Sequence, residues 1–373
     1  MKLKRIATSV LALTGLAALG LTNVSAADTP RTPDRAIPHY QHIVEIMMEN
    51  TSYGTIIGNS NAPQINALAN KYGLATNYFG VTHPSEPNYM ANIAGDYFGV
   101  QDDNQFYCTP ALATTDPNCS GTTVNHTVNA PTLADQLTAA GLTWKGYFQS
   151  LPPTPAPGTL VTTGPNANGP YTFKYPSNSV ALYASKHNPF VNFTGTQGAL
   201  ANMVPDTQLT TDLASKHGKG LPNFSLVVPD QCHDMHGTST CSDTNGLISA
   251  GDTYVGNTVA AIQASKVWEQ GRNAIVITWD EDDYSDQGLA GTGCCGSNVG
   301  GGHVVTIVIT NRGNHWITED QDHGSTDVDH GITDGTAYNH YSLLRTMEDA
   351  FGLGYIGHSG DSAVPPMSPL FRP

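Results

Sequence analysis

One mostly apolar segment that ends in two polar residues constrains the fold most. Ile43–Met48 is rich in β-branched and long aliphatic side chains, lacks Gly and Pro, and is followed directly by Glu49-Asn50. Such a segment predicts a buried strand of the kind found in parallel sheets. Because open α/β sheets bind ligands at the carboxyl ends of their strands, Glu49 and Asn50 are candidate oxygen ligands of a divalent cation. Alternatively, Glu49 caps a turn and Asn50 adopts a left-handed conformation.

Further apolar segments alternate with helical patterns along the chain. Strands are predicted at residues 75–81, 143–148, 224–228, 274–279 and 304–309. Helices are predicted at residues 62–72, 131–140, 252–265 and 342–351. This alternation predicts an α/β three-layer sandwich, with a mostly parallel central sheet covered by helices on both faces.

The amino-terminal segment has the features of a secretory signal peptide. Three basic residues within the first five precede an apolar run up to Leu21, and Val24-Ser25-Ala26 fits a cleavage site. We therefore predict a signal peptide at residues 1–26 and a secreted or periplasmic protein. An uncleaved anchor is the alternative. No other apolar run approaches the length of a membrane span, so no integral membrane segment is expected in the mature chain.

The net charge of the mature chain restricts its partners. Loss of residues 1–26 leaves 13 basic and 31 acidic residues, which changes the formal charge from −15 to −18. Nucleic acid and anionic membranes would repel such a protein, so neither is expected as a standing partner. The low charge density and abundant Gly, Pro, Asn and Thr predict a single domain over residues 27–373, with loop insertions near 96–130 and 151–180.

Six cysteines in an exported chain indicate an oxidising compartment. Local spacing favours two short-range disulfides, Cys108 with Cys119 and Cys232 with Cys241. The adjacent Cys294 and Cys295 either bond to each other or pair elsewhere. A redox role would require Cys-x-x-Cys spacing, which the sequence lacks.

A serine between two prolines is the candidate nucleophile. The strand at residues 75–81 leads into His83-Pro84-Ser85-Glu86-Pro87-Asn88-Tyr89, after which Met90–Ala94 has a helical pattern. A serine on a stiff turn between a strand and a helix, next to the N–H groups of the helix start, is well placed to react with an anionic group. The alternative is a simple Pro-rich turn in which Ser85 is the helix N-cap.

Two later segments place more ionisable side chains after predicted strands. The strand at residues 224–228 is followed by four of them within seven positions, Asp230, His233, Asp234 and His236. The strand at residues 274–279 ends in Asp280-Glu281-Asp282-Asp283. Because four consecutive carboxylates repel one another unless they are solvated or share a cation, we predict Asp280 and Glu281 as ligands and the next two as solvated.

Other polar segments are weaker candidates. His187 stands in His-Asn-Pro-Phe, where a polar pair before proline favours a functional role. The glycine-rich segment 288–302 lacks the Gly-Lys-Ser/Thr ending of a nucleotide-binding P-loop, so it is interpreted as a flexible flap. The histidines of three short Asp-His-Gly or Asn-His-Tyr motifs are interpreted as structural, His323, His330 and His340.

In a mostly parallel sheet these segments meet at one edge, where together they could catalyse phosphoryl transfer. A cation beside the Ser85 hydroxyl would lower its pKa and neutralise phosphate oxygens, so that Ser85 could attack phosphorus in line. Water would then hydrolyse the phosphoserine.

Five ordered motifs resemble the bacterial phosphoesterase family over residues 40–355. They are Met-Glu-Asn, His-Pro-Ser-x-Pro-Asn-Tyr, Pro-Asp-x-x-His-Asp-x-His, Thr-Trp-Asp-Glu and Tyr-Asn-His-Tyr-Ser-Leu-Leu-Arg-Thr. That family includes secreted acid phosphatases and non-specific phospholipases C and belongs to the alkaline-phosphatase superfamily. The resemblance therefore implies an alkaline-phosphatase-like fold.

The resemblance also implies roles for individual residues. Four residues would hold the metal together with the Ser85 oxygen, namely Glu49, Asn50, Asp280 and Glu281. Ser85 would be phosphorylated, and Asn88 would contact a phosphate oxygen. Oxygen ligands suit Ca²⁺, Mg²⁺ or Mn²⁺, and nearby histidines also admit Zn²⁺ or iron.

Histidines would take the place of the second metal of two-zinc relatives. The candidates are His187, His233 and His236, which would stabilise charge and protonate the leaving group, with Asp230 and Asp234 orienting them. Asp234 stands where two-metal relatives tend to have histidine, so a complete second metal site is not expected.

We therefore predict a metal-dependent acid phosphatase that hydrolyses small-molecule or lipid phosphate monoesters, phosphoinositides among them. Short insertions leave little room for the lipid-binding regions of phospholipases C, which makes cleavage of phosphodiester head groups the alternative. The second alternative is an exported protein that binds metal or carbohydrate on the same fold without catalysis.

Overall fold

The structure is a computed structural model that describes residues 37–103, 126–151, 182–215, 220–284, 293–297, 300–312, 315–316 and 330–372. The predicted signal peptide, the Cys108–Cys119 disulfide, His323 and parts of both insertions and of the 288–302 flap lie outside these residues. From Ile37 onward the chain forms one compact unit.

The strands are formed by the segments with apolar and β-branched side chains. They are β1 His42–Met48, β2 Gly73–Phe79, β3 Trp144–Phe148, β4 Met203–Pro205, β5 Phe224–Val228, β6 Asn273–Trp279, β7 His303–Thr310, β8 His315–Trp316, β9 His330–Gly331, β10 Thr333–Asp334 and β11 Tyr338–Asn339. Among the described residues, nine strands form one sheet in the order β10-β2-β7-β6-β1-β5-β3-β4, with β11 also paired to β2, while β8 and β9 form a separate pair.

The sheet is mostly parallel, as predicted. Strand β1 lies at its centre and pairs in parallel with β5 and β6, whereas β7 runs antiparallel to both β2 and β6. Met48 is in register with Trp279, and the backbone N–H of Asp280 donates to the carbonyl oxygen of Met48 at 3.0 Å. The residues that follow β1 and β6 therefore emerge side by side at one edge.

Helices flank this sheet in two groups. They are α1 Tyr53–Ile56, α2 Pro63–Lys71, α3 Ser85–Ala94, α4 Leu133–Ala139, α5 Thr207–Leu213, α6 Thr244–Gln263, α7 Lys266–Glu269 and α8 His340–Phe351. Helices α3, α4 and α8 contact one another, and α6 contacts α2, α5 and α7. Among the described residues, no helix is long and apolar enough to cross a bilayer.

Helices α3, α6 and α8 begin earlier than predicted, α8 by two residues. Helix α6 starts at Thr244 rather than near Asp252, because the Asp243 side chain accepts from the backbone N–H of Gly246 at 2.7 Å and so caps it. Helix α3 starts at Ser85 itself, with Pro84 as N-cap. Pro87 does not interrupt α3, since the N–H groups of a first helical turn have no intrahelical partner.

The sheet interior is mostly apolar, and two disulfides lie outside the strands. Every residue of β6 is buried, as are all but the first of β1. The predicted Cys232–Cys241 disulfide is confirmed. Cys294 and Cys295 bond to each other, which settles the choice that their spacing left open.

Candidate active site

The Ser85 hydroxyl lies at the first position of α3 and faces three oxygen acceptors. Its Oγ is 3.1 Å from Glu49 Oε2, 3.3 Å from Glu281 Oε1 and 3.5 Å from Asn50 Oδ1. A serine hydroxyl has one proton and can satisfy only one of these acceptors at a time. Three acceptors around one hydroxyl therefore form an oxygen-rich group that a cation would complete.

Backbone geometry at the end of β1 supports this convergence. Asn50 has φ +41°, so it occupies the left-handed region that the alternative interpretation foresaw, yet its side chain still faces Ser85. Its amide Nδ2 donates to Glu281 Oε1 at 3.3 Å, and its backbone N–H donates to Asp280 Oδ1 at 3.3 Å. Asn50 thus links the ends of β1 and β6.

The carboxylates of this group are buried and close enough to affect one another. Burial, with the added charges of Asp280 and Asp234, raises the pKa of Glu49 well above its usual value. Burial and then the charge of Glu281 raise the pKa of Asp280. Burial raises the pKa of Glu281 to about 8. These shifts have a common cause, because negative charges crowded away from water are unfavourable without a cation.

Glu49 also faces a second set of donors through its other oxygen. Glu49 Oε1 lies 3.2 Å from His187 Nε2. Ligand atoms of Glu49, His187 and His236 all lie within 4.8 Å of one another, a grouping that could hold a metal ion. Glu49 therefore stands between the oxygen-rich group at Ser85 and a nitrogen-containing group at the two histidines.

In both histidines of the second group, burial favours the neutral imidazole. Burial, followed by the charges of Lys186 and His236, lowers the pKa of His187 well below its usual value. Burial and then Lys186 also lower the pKa of His236. Neutral imidazoles bind cations and accept hydrogen bonds. His187 is held in place by stacking on Tyr89, with ring centroids 5.3 Å apart, and by Asp234 Oδ2 at 3.4 Å from its Nδ1.

Lys186 is a site residue that the sequence interpretation missed. Its Nζ donates to Asp103 Oδ2 at 2.8 Å and to His236 Nε2 at 3.2 Å. Burial alone would lower the pKa of Lys186, but the charges of Glu49 and Asp103 raise it above its usual value. Its place next to His187 in the sequence was an available signal, whereas no pattern pointed to Asp103.

His83 is the second residue that the sequence interpretation missed. Its Nδ1 lies 2.7 Å from Glu281 Oε2, its Nε2 lies 3.4 Å from Asp282 Oδ1, and its ring stacks on Tyr284. The prediction that Asp282 is solvated is wrong, because Asp282 is fully buried beside His83. Asp283 is exposed, as predicted.

The Asn88 side chain is used within the turn that precedes α3. Its Oδ1 accepts from the backbone N–H groups of Val81 and Thr82 at 2.8 and 3.0 Å. Its Nδ2 donates to the carbonyl oxygens of Thr82 and Pro84 and lies 3.4 Å from Glu281 Oε2. In this arrangement Asn88 fixes the backbone that presents Ser85, and its predicted contact with phosphate stays a prediction.

Asp230 and His233 form a separate pair. His233 Nδ1 lies 2.8 Å from Asp230 Oδ1, and the Ser150 hydroxyl donates to Asp230 Oδ2 at 2.6 Å. The hydrogen bond to Asp230 raises the pKa of His233, whose side chain is 40% exposed. Of the predicted histidines, His187 and His236 thus gather around Glu49, while His233 pairs with Asp230.

A cavity of about 370 Å³ adjoins the site. Asn50, His236 and Asp283 line it on the side of the site. Its remaining wall combines hydroxyl-bearing and apolar side chains, including Thr51, Thr238, Ser242, Thr244, Met235, Leu247 and Ile248. The cavity therefore opens beside Asn50 and His236, with both polar and apolar side chains in its wall.

The donor set fits a divalent cation. Glu49, Asp280 and Glu281 supply carboxylate oxygens and Asn50 a carboxamide oxygen, which are the ligands that Mg²⁺, Ca²⁺ and Mn²⁺ prefer. Asp280 Oδ2 is buried and has no hydrogen-bond partner in the described part of the chain. A buried carboxylate oxygen without a hydrogen-bond partner lowers the stability of the fold unless a cation or another donor compensates it.

Comparison with known proteins identifies the family of the chain. The Phosphoesterase family profile matches residues 58–354. A phosphatidylinositol-3-phosphatase of Mycobacterium tuberculosis is 29% identical over 337 residues, which cover 90% of this chain and 84% of that relative. A phosphate-repressible acid phosphatase of Penicillium chrysogenum is 23% identical, with coverage of 94% and 72%.

The fold has a counterpart among solved structures. A protein in the alkaline phosphatase superfamily from Vibrio parahaemolyticus superposes with a TM-score of 0.50 at 11% identity, covering 91% of this chain and 72% of that chain. At this identity the likeness concerns the fold alone, and it agrees with the predicted α/β architecture.

Proposed function

Because the chain belongs to the phosphoesterase family, we propose that it is a metal-dependent phosphomonoesterase that acts through a phosphoserine at Ser85. One observation carries the proposal. The Ser85 hydroxyl, at the first position of α3, lies 3.1 to 3.5 Å from oxygens of Glu49, Glu281 and Asn50.

The metal is assigned to the oxygen-rich group. Glu49, Asn50, Asp280 and Glu281 would hold it beside Ser85. A divalent cation there supplies Lewis acidity, which favours the ionised serine and offsets the charge of the phosphate. Its identity among Ca²⁺, Mg²⁺, Mn²⁺ and Zn²⁺ is a matter for elemental analysis of the purified protein.

The chain's own residues account for the remaining steps. The Ser85 proton passes to Glu49 Oε2, the nearest of its three acceptors. Ser85 Oγ then bonds to phosphorus as the bond from phosphorus to the leaving oxygen breaks, and the leaving oxygen takes up a proton from solvent. In a second displacement water attacks the phosphoserine and the bond from phosphorus to Ser85 Oγ breaks. Ser85 Oγ takes back its proton from Glu49 Oε2, the attacking water gives a proton to solvent, and inorganic phosphate is released.

The cavity next to His236 supports a polyhydroxylated leaving group. Its four Ser and Thr side chains offer hydrogen-bond partners to ring hydroxyls, and Leu247 and Ile248 offer apolar contact. Because one relative is named a phosphatidylinositol-3-phosphatase, phosphoinositides are the proposed lipid substrates.

The proposal is tested by replacing the nucleophile. Ser85→Ala should abolish hydrolysis of p-nitrophenyl phosphate and prevent acid-stable labelling by ³²P-labelled substrate, while calorimetric Mn²⁺ binding persists. Ser249→Ala, an exposed serine on α6, is the matched control and should behave as wild type. Residual turnover or labelling in Ser85→Ala would refute the assignment of Ser85.

Substrate class is decided by a direct comparison. Phosphate release from phosphatidylinositol 3-phosphate in vesicles is expected, and phosphocholine release from phosphatidylcholine is not. The reverse result would establish the phospholipase C alternative.

We also propose that the protein is exported. The signal-like segment 1–26 and the two disulfides support this. N-terminal sequencing of the protein recovered outside the cytoplasm should begin just after Ala26. Recovery of the uncleaved chain in the cytoplasm would contradict export.

A further inference from the structure

Lys186 has a position that neither the predicted ligand set nor the proposed mechanism explains. It lies in the short 3₁₀ turn Ser185–His187, which packs against α3, and its side chain is only 13% exposed. Asp103 Oδ2 accepts from Lys186 Nζ at 2.8 Å, while Asp103 Oδ1 accepts from the backbone N–H of Glu86 at 3.0 Å. One carboxylate therefore fixes the lysine relative to the residue that follows Ser85.

The contact with His236 defines what the lysine faces. His236 Nδ1 lies 2.9 Å from the carbonyl oxygen of Gly237. Because a carbonyl oxygen only accepts, Nδ1 carries the hydrogen and Nε2 is left as an acceptor. The Lys186 ammonium donates to this Nε2 at 3.2 Å. It thus lies beside the group of Glu49, His187 and His236 that could hold a metal ion.

The charges of the site explain why a cation is needed at that point. Four carboxylate side chains of the site are buried, namely Glu49, Asp234, Asp280 and Glu281, and two of them, Glu49 and Asp234, lie 3.2 and 3.4 Å from the His187 ring nitrogens. A single divalent cation does not balance four carboxylates, and a phosphate monoester brings up to two further negative charges. A positive charge on the histidine side of Glu49 would reduce this repulsion.

We propose that Lys186 is a catalytic residue whose ammonium contacts the transferring phosphoryl group in place of a second metal ion. This inference rests on the proposed function. A lysine ammonium binds phosphate as a compact point charge with three donors. It also disfavours a metal at Glu49, His187 and His236 by repulsion. The wild-type chain therefore binds one divalent ion tightly.

The kinetic test compares Lys186→Met with Lys186→Arg. Lys186→Met keeps the length and removes the charge, and it should lower kcat/KM for p-nitrophenyl phosphate by roughly 100- to 1000-fold, the usual loss for one oxyanion donor. It should also weaken inhibition by inorganic phosphate at least about tenfold. Lys186→Arg keeps the charge and should retain more activity. Lys145→Met, which breaks the ion pair between Lys145 on β3 and Asp212 on α5, is the control and should leave kcat/KM unchanged.

The decisive readout is metal binding, since a structural lysine would not change it in the expected direction. Calorimetric titration of metal-free protein with Mn²⁺ should give one tight site for wild type. Lys186→Met should bind Mn²⁺ more tightly, or bind a second ion, although it is the less active enzyme. A structural lysine predicts weaker Mn²⁺ binding together with lower activity.

Three results would overturn the proposal. The first is a kcat/KM for Lys186→Met within about threefold of wild type. The second is weaker Mn²⁺ binding by Lys186→Met. The third is failure of both Lys186 variants to fold, which would assign the lysine a structural role. Absence of hydrolysis by wild type would instead refute the proposed function, and the Mn²⁺ and phosphate titrations would still test Lys186.

Discussion

The Nε2 atom of His340 lies 2.7 Å from the backbone carbonyl oxygen of Asp280. The carbonyl accepts from Nε2–H, so Nδ1 is left to accept from the Tyr78 hydroxyl at 3.0 Å. Burial lowers the pKa of His340 to about 4, which keeps the imidazole neutral at higher pH. His340 on α8 therefore connects β2 with the end of β6. The predicted metal ligands Asp280 and Glu281 directly follow that end.

Replacing His340 with Phe should destabilise the fold and impair the site together. The change leaves the Asp280 carbonyl and the Tyr78 hydroxyl without this partner, at a cost of about 2–4 kcal/mol in unfolding free energy. Urea unfolding and kcat/KM for p-nitrophenyl phosphate measure the two effects. His358→Phe, at a half-exposed histidine paired with Asp361, is the control and should change neither. Equal losses in the two variants would contradict this role of His340.

Asp280→Asn should change stability in opposite directions with and without metal. Burial and the charge of Glu281 raise the pKa of Asp280, so removing its charge relieves repulsion in the metal-free protein. In EDTA the variant should melt at a higher temperature than wild type. With saturating Mn²⁺ wild type should be the more stable, because ligand at about 100 times Kd contributes about 2.7 kcal/mol. A variant that is less stable in both conditions would refute this interpretation.

Glu45→Gln should become more stabilising as pH rises. Glu45 is fully buried on β1 and accepts from Asn92 Nδ2 at 2.9 Å, and burial raises its pKa from 4.5 to about 8. The folded protein therefore holds this proton more tightly than the unfolded chain, and wild-type stability falls as pH rises from about 5 through 8. Gln does not ionise, so its advantage should grow by roughly 2–4 kcal/mol between pH 5 and 9.

Urea unfolding at pH 5, 7 and 9 measures the Glu45 effect. Glu269→Gln, at an exposed glutamate on α7, provides the control and should show no comparable trend. An advantage of Glu45→Gln that does not vary with pH would show that Glu45 has the same protonation in both states.

Gly80→Ala should disturb the crossing of three chain segments beneath the site. A Cβ at Gly80 would lie 2.7 Å from the carbonyl oxygen of Asp280 and 2.9 Å from that of Gly301. Because backbone must move to admit it, unfolding free energy should fall by about 1–3 kcal/mol and activity should fall with it. Gly54→Ala on α1 meets nothing within 4 Å and should be neutral or stabilising by up to about 1 kcal/mol. Thermal unfolding and turnover of both variants decide the point.

Sequence patterns alone predict six strands of the central sheet and bring much of the candidate site together, but they miss the short strands β4, β10 and β11 and the antiparallel direction of β7. Apolar segments such as 224–228 mark buried strands, and their alternation with helices implies a parallel sheet. Parallel pairing then requires residues after β1 and β6 to meet at one edge, which is why the sequence by itself groups Glu49, Ser85 and Asp280. The structural interpretation of His340 also agrees with its buried hydrogen bonds.

Tertiary structure decided which side chains fill the space above that edge. Whether Asp282 is solvated depends on His83, and the position of Lys186 depends on Asp103, about eighty residues away in the chain. Local pattern cannot report such contacts, because they are set by how loops fold over the strand ends and not by the periodicity of the strands. Sequence periodicity specifies which face of an element is buried, whereas pairing among polar loop residues follows only from three-dimensional proximity.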